Sequence, residues 1–401
     1  MTWLDIAADD PFGVHNLPYG AFDPGDGSSR LGVRIGDRVL DLAALERTGL
    51  VEADGTLQAA TLNPFMALGR TCWSAVRERL TELLTDTAFR APVERLLLPL
   101  AEVTPRLPFD VGDYVDFYSS EDHATNLGKL FRPGSPPLLP NWKHLPIGYH
   151  GRAGTVVVSG TDVVRPCGQR KPPQAEVPTF GPSQRLDIEA EVGFVVGAAS
   201  SLGTPLTTKD FQDHVFGVVL VNDWSARDLQ AWEYQPLGPF LGKSFATSVS
   251  AWVVPLDALA AARVPAPAQS PPVLPYLADD RTGYDIHIEV VWNGTVVSRP
   301  PFASLYWTPA QQLAHLTVNG ASVRPGDLYA SGTVSGPERG QVGSFIELTW
   351  GGAEPVTLAD GRTRTFLEDG DTVTLTATAP GPAGTVVGFG EVVGRILPPS
   401  T

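Results

Sequence analysis

The chain has 401 residues, 43% of them hydrophobic and 18% charged, which is ordinary for a globular protein with a large core. Its formal net charge of -15 argues against nucleic acid or an anionic membrane as the main partner, since both require a basic surface. No apolar run approaches the roughly 18 residues of a transmembrane helix, and we expect neither a signal peptide nor a membrane partner. Two cysteines, Cys72 and Cys167, make no disulfide framework, which favours a cytoplasmic location.

Residues 1–105 predict a small N-terminal domain, followed by a larger C-terminal domain of residues 106–401. Residues 31–42 alternate apolar and polar side chains around a Gly-Asp turn, which is the pattern of a β-hairpin. Residues 64–85 carry apolar side chains at helical spacing. The Pro-interrupted residues 97–108 are interpreted as the linker between the domains.

Strands dominate the second domain. Residues 308–318 predict one helix there, with Thr308 as its N-cap and proline at its first position. Residues 258–275, rich in Ala, Pro and Ser, predict a surface excursion. Because strands alternate mainly with loops, we expect a mixed, β-dominated fold. The predicted strands are residues 155–159, 187–196, 217–221, 251–255, 285–292, 345–350, 371–378 and 386–389.

Residues 186–196 (LDIEAEVGFVV) place Glu189 and Glu191 two positions apart between apolar neighbours. On a strand, residues two apart face the same side, so both carboxylates leave one face. Adjacent carboxylates repel each other unless a cation lies between them. All-oxygen ligation suits a hard ion such as Mg²⁺, Ca²⁺ or Mn²⁺. Taken alone, this stretch is equally typical of a solvent-exposed polar strand face.

Two aspartates extend the acidic set. Asp116 lies in residues 113–120 (DYVDFYSS), and Asp223 lies where an apolar strand ends in Asn-Asp. Alone, each is more often a turn or helix-cap residue. Carboxylates at strand ends are well placed to complete an oxygen cage, so the four acids together predict a metal site.

His123 follows Asp116 by seven residues in a polar segment. A lone histidine is more often structural than catalytic, but a histidine beside a candidate ligand is a candidate general base. Such a base needs an acid on its other nitrogen. Glu347 is a charge within a predicted apolar strand, where it is either exposed or paired. Spacing alone does not link Glu347 to His123.

Hydrogen-bond donors occur in aromatic, glycine-rich surroundings. A helical turn would bring Gln230 onto the same face as Arg227, three residues earlier. Such donors suit a carboxylate-bearing substrate and a developing oxyanion, although any one of them alone is more typical of surface ion pairing. The charged donors are Arg132, Arg227 and Lys243, and the candidate hydroxyls are those of Tyr118, Tyr149 and Tyr234.

Taken together, these segments resemble the fumarylacetoacetase family over about residues 110–395. The long aromatic runs around His123 and Lys243 set that family apart from its wider superfamily, which shares only the acidic metal pattern. The matching runs are residues 113–120 (DYVDFYSS), 123–126 (HATN), 139–142 (LPNW), 146–152 (PIGYHGR), 222–228 (NDWSARD), 232–245 (WEYQPLGPFLGKSF) and 331–337 (SGTVSGP).

The resemblance implies a small SH3-like N-terminal domain and a larger β-roll catalytic domain, assembled as a homodimer. It implies His123 as the base, oriented by Glu347. The implied metal ligands are Asp116, Glu189, Glu191 and Asp223, with a second cation near Asp223, Lys243 and Thr247. The implied oxyanion site is Arg227, Gln230 and Lys243. The implied substrate contacts are Tyr118, Arg132, Tyr149, Gln230, Tyr234 and Thr333.

The expected activity is metal-dependent hydrolysis of the C–C bond of 4-fumarylacetoacetate, a small anionic 1,3-diketo acid. The expected cofactor is Ca²⁺ and/or Mg²⁺, without an organic cofactor. One alternative is an acylpyruvate or related hydrolase of the same superfamily. A second is an inactive binding protein on the same fold, although no expected catalytic position is lost. A redox metalloenzyme is disfavoured because the candidate ligands are all carboxylates.

Overall fold

A computed structural model describes residues 2–400 as strands joined by loops and mostly short helices. The helices are α1 (Leu42–Arg47), α2 (Asn63–Met66), α3 (Arg70–Thr85), α4 (Arg90–Glu94), α5 (Glu121–Phe131), α6 (Phe211–His214), α7 (Arg227–Glu233), α8 (Pro309–Thr317) and α9 (Phe345–Leu348). The strands up to residue 226 are β1 (Tyr19–Asp23), β2 (Arg30–Ile35), β3 (Arg38–Asp41), β4 (Leu97–Pro99), β5 (Thr104–Arg106), β6 (Tyr114–Phe117), β7 (Gly148–His150), β8 (Val156–Val158), β9 (Val163–Val164), β10 (Cys167–Arg170), β11 (Thr179–Pro182), β12 (Leu186–Asp187), β13 (Ala190–Val196), β14 (Val215–Asp223) and β15 (Ser225–Ala226). The later strands are β16 (Thr247–Val249), β17 (Trp252–Pro255), β18 (Arg263–Pro265), β19 (Thr282–Tyr284), β20 (His287–Trp292), β21 (Thr295–Ser298), β22 (Leu328–Ala330), β23 (Val356–Thr357), β24 (Thr363–Arg364), β25 (Thr372–Pro380) and β26 (Val386–Leu397).

The largest sheet among residues 2–400 has 13 strands. Its strands run in the order β4-β3-β2-β1-β17-β14-β13-β22-β6-β7, with β5 paired to β1, β16 paired to β14 and β8 paired to β16. The pairs are antiparallel except β22 with β6 and β16 with β8. A second sheet has the order β21-β20-β25-β26-β9. The prediction of a mixed, β-dominated fold is therefore confirmed.

The central strands of the large sheet are buried on both faces. Along β13, Phe194 packs into a core shared with the second sheet, while the next residue, Val195, packs into a core shared with the N-terminal helices. This alternation follows from the two-residue period of a strand. It explains why β13 and β14 are apolar along most of their length, as is usual for strands covered on both sides. A charged side chain on these strands is therefore buried.

Several predicted elements are confirmed. Residues 31–42 contain the β2–β3 hairpin, closed by a Gly-Asp turn. Residues 64–85 are largely helical, although α2 and α3 are separated by Gly69 with φ of +81°. Helix α8 begins after Thr308, which forms a reciprocal capping box with Gln311. The predicted strand at 187–196 is present but is interrupted at residues 188–189.

Three predictions differ from the structure. Residues 97–108 contain β4 and β5, which pair with β3 and β1, so this segment belongs to the sheet and is not a free linker. Residues 345–350 contain the short helix α9 in place of a strand. The excursion at 258–275 is largely exposed over residues 267–275, but its first part is anchored in the core, since Leu259 and Ala262 are fully buried. The domain boundary at 105/106 and the SH3-like character of the first domain remain predictions.

A close backbone approach holds the loop after β22 against the end of β6. Gly332 has φ of +76°, and a Cβ atom at this position would lie 2.0 Å from the carbonyl oxygen of Phe117. Any side chain here would force the two segments apart. The loop contains Thr333, and β6 contains Asp116, so this glycine brings both residues to the same end of the sheet.

Candidate active site

Four buried carboxylates converge at one end of neighbouring strands of the large sheet. Asp116 lies on β6, Glu191 on β13, Asp223 at the end of β14, and Glu189 between β12 and β13. All are at most 5% exposed, and one oxygen of each lies within 4.8 Å of the others. The alternative of an exposed polar strand face for Glu189 and Glu191 is therefore wrong.

Several oxygens in this carboxylate cluster have no hydrogen-bond partner. They are Oδ1 of Asp116 and both carboxylate oxygens of Glu191. Burial raises the pKa of both groups well above its usual range, and neighbouring negative charge, that of Asp223 foremost for Asp116, adds to the rise. Unpaired buried oxygens are costly unless a ligand satisfies them. The donor set fits a hard divalent cation.

Lys243 supplies a positive charge at the edge of the cluster. Its ammonium group donates to Glu189 and, at 2.6 Å, to Oδ2 of Asp223. Burial favours the neutral amine, but Asp223 and Glu189 outweigh this effect and hold the pKa of Lys243 above its usual value. Thr247 donates to the other oxygen of Asp223 at 2.8 Å. The second cation expected near these residues remains a prediction.

Helix α5 presents His123 to the cluster. Ser120 caps this helix by accepting a hydrogen bond from the backbone of His123 at 3.1 Å. The Nδ1 atom of His123 lies 2.7 Å from Oε2 of Glu347, and its Nε2 atom lies 3.8 Å from Oε1 of Glu189. A proton on Nδ1 that is donated to Glu347 leaves Nε2 free to accept one.

Glu347 is held on α9 by a complete set of donors. Its Oε2 atom accepts from Ser335 at 3.0 Å and from Ser344 at 2.6 Å, and its Oε1 atom accepts from Asn126 at 3.0 Å. Burial alone would raise the pKa of Glu347, but His123 and these hydrogen bonds outweigh it and lower the pKa. Glu347 is thus buried and paired with His123, although 224 residues separate them in the sequence.

Arg227 and Gln230 lie together on α7, as the helical spacing predicted. The Nη1 atom of Arg227 donates to Oε1 of Gln230 at 3.1 Å and lies 2.8 Å from Oε1 of Glu189. Its Nε atom donates to Asp187 at 2.8 Å. The Nη2 atom is buried without a partner. A guanidinium group fixed on two sides with one free N–H edge is suited to a developing oxyanion.

The expected substrate-binding residues surround this centre at different distances. The ring of Tyr118 lies edge-on to His123 with centroids 5.4 Å apart, and the hydroxyl of Tyr149 donates to Asp223 at 3.3 Å. The hydroxyl of Thr333 is buried without a partner. An open cavity of about 250 Å³ borders the cluster, lined in part by Tyr149, Asp223 and Lys243.

Two further expected substrate-binding residues, Arg132 and Tyr234, are not bonded to the carboxylate cluster in the described part of the chain. Arg132 donates to the carbonyl of Pro137 at 2.8 Å, while its Nε atom is buried without a partner. Tyr234, at the end of α7, lies beside Phe131 with ring centroids 6.5 Å apart. Within residues 2–400, neither side chain forms a hydrogen bond with the carboxylate cluster.

Sequence reasoning missed the residues that support this centre. Asp187 has the same two-residue spacing as Glu189 and Glu191, a signal that was present in the sequence. The three donors to Glu347 had no such signal, because their role depends on loops that meet only in the folded chain. They are Asn126, Ser335 and Ser344.

Comparison with known proteins identifies the family. The family model described as fumarylacetoacetate hydrolase C-terminal matches residues 114–396, and that described as fumarylacetoacetase N-terminal matches residues 15–108. The chain belongs to the fumarylacetoacetate hydrolase family. Members of this family that it resembles include the fumarylacetoacetases of Homo sapiens, at 47% identity over 99% of both chains, and of Arabidopsis thaliana, at 46% identity over 99% of this chain and 98% of the relative.

A solved structure that is more distant in sequence has the same fold as this chain. It is the maleylpyruvate hydrolase from Sphingobium sp. SYK-6 in complex with manganese (II) ion and pyruvate, with a TM-score of 0.54 and 16% identity over 96% of this chain and 100% of the other. The family resemblance seen in the sequence is confirmed. Among residues 2–400, no helix has the length and apolar character needed to cross a bilayer.

Proposed function

We propose that this family member hydrolyses the C–C bond of 4-fumarylacetoacetate to fumarate and acetoacetate, the last step of tyrosine and phenylalanine catabolism. The observation that carries the proposal is the 2.7 Å contact between His123 and Glu347 beside a carboxylate cluster in which Oδ1 of Asp116 and both oxygens of Glu191 are unpaired. The 47% identity to a fumarylacetoacetase over 99% of both chains supports the choice of substrate.

A divalent cation, Ca²⁺ and/or Mg²⁺, is the proposed cofactor, with no organic cofactor. When bound, such an ion supplies Lewis-acid chemistry: it polarises diketo oxygens and favours the enolate form of the leaving group. The residues proposed to hold it are Asp116, Glu189, Glu191 and Asp223. A second cation is proposed near Asp223, Lys243 and Thr247.

His123 activates the attacking water. Its Nε2 atom accepts a proton from the water, and the resulting imidazolium is stabilised by the carboxylate of Glu347 at Nδ1. The hydrogen bonds around Glu347 keep it charged and aligned. The hydroxide oxygen then forms a bond with the ketone carbon of the fumaryl group, which becomes a carboxyl carbon of fumarate.

The tetrahedral oxyanion forms beside three donors. The unpaired Nη2 edge of Arg227, the amide of Gln230 and the ammonium of Lys243 are proposed to hold it. When the oxyanion collapses, the C–C bond breaks and its electron pair becomes the enolate of acetoacetate. The proton held on His123 returns to the enolate carbon, and the new carboxyl group of fumarate releases its proton to solvent. One water is consumed, and fumarate and acetoacetate leave.

The anionic substrate is compatible with this site because Arg227, Lys243 and the proposed cation together offset the buried carboxylates. Arg227 and Lys243 are buried there, and both have a pKa above the usual value despite burial, because the carboxylates around them stabilise the charged form. The residues proposed to hold the substrate are Tyr118, Arg132, Tyr149, Gln230, Tyr234 and Thr333. We further propose a cytoplasmic homodimer in which residues 1–105 form the smaller domain.

The assay follows the loss of 4-fumarylacetoacetate absorbance by chelator-treated protein, with and without added Mg²⁺ or Ca²⁺. We expect cation-dependent turnover in the parent and its loss in His123→Ala. An acylpyruvate is the competing substrate. Cleavage of the acylpyruvate alone would overturn the proposed substrate, and full turnover by His123→Ala would remove this residue as the base. Cation binding without turnover of either substrate would favour a binding protein.

A further inference from the structure

We propose that Asp187 is a positioning residue that aligns Arg227 and Glu347 at the same time, and thereby couples the oxyanion site to the general base. The inference rests on the function proposed above, since that reaction gives Arg227 and Glu347 their roles. Asp187 lies on β12, two residues before Glu189, and is fully buried.

The carboxylate of Asp187 uses both oxygens on groups that belong to separate elements. Its Oδ1 atom accepts from the backbone N–H groups of Ile188 at 2.8 Å and Phe345 at 2.7 Å. Its Oδ2 atom accepts from the backbone N–H of Ile346 at 3.0 Å and from Nε of Arg227 at 2.8 Å. A single side chain therefore links β12, α7 and α9 through four hydrogen bonds.

Helix α9 depends on Asp187 because the residue at its N-cap position, Ser344, does not cap it. Ser344 precedes the helix, but its hydroxyl donates to Glu347 and makes no capping bond to the backbone. The first two backbone N–H groups of the helix would otherwise be unsatisfied. Asp187 accepts from both and so fixes the start of the helix that carries Glu347, two residues after Phe345.

Arg227 is aligned by the same carboxylate from the opposite side. Asp187 holds the Nε atom, while Glu189 and Gln230 hold Nη1, so that only Nη2 remains free. The direction of this free N–H edge is thus set by Asp187 together with Glu189. A neutral amide at position 187 would leave the buried guanidinium with one charge partner fewer, which is costly in a buried pair.

The first test compares Asp187→Asn with Asp41→Asn in full-length, cation-loaded protein. Asp41 is a matched control, because it is also buried, accepts a hydrogen bond from an arginine, Arg30, and caps a helix, α1, through the backbone N–H of Ala44. It lies on β3, towards the opposite edge of the large sheet from β6. For Asp187→Asn we expect kcat to fall by about 10- to 100-fold, as for other supporting partners of a reactive centre, with KM changed by less than about threefold. Asp41→Asn should lower the melting temperature without this fall in kcat.

The second test does not depend on turnover. The hydrogen bond from Nδ1–H of His123 to Glu347 should give a low-field proton resonance, assigned by its loss in Glu347→Gln. Asp187→Asn should weaken or remove the resonance because α9 shifts, whereas Asp41→Asn should retain it. Should Asp187→Asn fail to fold, Asp187→Glu keeps the charge, displaces the carboxylate by one methylene, and is expected to show the same two changes.

The double variant Asp187→Asn with Glu347→Gln should lose less activity than the sum of the single effects, in logarithmic units, because the two residues act on one element. An unchanged resonance together with a parent-like kcat in Asp187→Asn or Asp187→Glu would overturn the positioning role. If the parent does not cleave 4-fumarylacetoacetate, the proposed function fails, and the resonance alone then decides whether Asp187 aligns Glu347.

Discussion

Two regions with buried carboxylates lie side by side in this protein: Glu347 with its hydrogen-bond donors, and the carboxylate cluster, in which some oxygens have no partner. Glu347 accepts hydrogen bonds from His123, Asn126, Ser335 and Ser344. Both oxygens of Glu191 have no partner within the described residues. A fully bonded carboxylate has a fixed position and a stable charge. An unbonded one at the same depth requires a ligand, which supports the proposals that the first region orients a proton acceptor and that the second binds a cation.

The largest effect is expected from a substitution that removes the proposed cation site and leaves Glu347 intact. Glu191→Gln should abolish cation binding and reduce turnover by more than the roughly 10- to 100-fold that follows loss of a supporting partner. Glu347→Gln is the matched control, since it removes one charge at the same depth but should retain cation binding. Calorimetry with Ca²⁺ measures both. Equal cation affinity in the two variants would erase the distinction between the regions.

The next largest effect is expected from Arg227, which contacts both Asp187 and Glu189. Arg227→Lys keeps the positive charge but loses the planar fork that contacts Asp187 and Glu189 simultaneously. We expect kcat to fall on the order of 10²-fold, as for removal of an oxyanion donor. Steady-state kinetics would show most of the loss in kcat. A change confined to KM would instead assign Arg227 to substrate binding.

The pH dependence of stability should have opposite signs for Glu347 and for the three carboxylates of the cluster whose pKa is raised. The fourth, Glu189, follows Glu347, because Lys243 and Arg227 lower its pKa despite burial. In the metal-free protein, burial raises the pKa of Asp116, Glu191 and Asp223, so the folded state keeps protons that the unfolded chain loses above about pH 4. The free energy of unfolding should therefore fall as pH rises towards the raised pKa values, by about 1.4 kcal/mol per pH unit for each proton that only the folded state retains. Glu347 has a lowered pKa and contributes the opposite: stability that is lost as pH falls below about 4.

Urea unfolding between pH 4 and pH 8, with and without Ca²⁺, checks this sign. The metal-free protein should lose stability as pH rises, and the loaded protein should not, because the cation replaces the protons. A metal-free protein that becomes steadily more stable over this range would contradict the assignment of the unpaired carboxylates to a cation site.

The smallest effect is expected from removing a single hydrogen-bond donor to Glu347. Ser344→Ala removes one of several donors to Glu347, and the net loss should be about 1 kcal/mol of stability. Turnover should fall only a few-fold, because Ser335 and Asn126 still hold the carboxylate. Thermal unfolding and kcat measure the two effects. A loss as large as that of Glu347→Gln would mean that Ser344 has a separate role.

Local signals in the sequence predicted those parts of the molecule that depend on near neighbours. The β2–β3 hairpin followed from alternation and its turn, and the start of α8 followed from the capping box of Thr308 and Gln311. The acidic cluster was predictable because Glu189 and Glu191 are two residues apart on one segment. Local rules also placed Arg227 beside Gln230.

The rest depended on contacts between distant segments. Residues 345–350 form too short an apolar run for periodicity to distinguish a strand from a helix, and the partner that caps α9, Asp187, is 158 residues away from Phe345. The pairing of His123 with Glu347 spans 224 residues. Only the folded sheet brings these segments together, so spacing in the sequence could not reveal them.

We propose above that the carboxylate cluster binds a divalent cation on which C–C hydrolysis depends. The most direct measurement titrates chelator-stripped protein with Ca²⁺ or Mg²⁺ while following bound cation and 4-fumarylacetoacetate turnover in the same samples. Turnover should rise in proportion to occupancy in the parent, and neither signal should appear in Glu191→Gln. Full turnover by the stripped protein in excess chelator would contradict the claim.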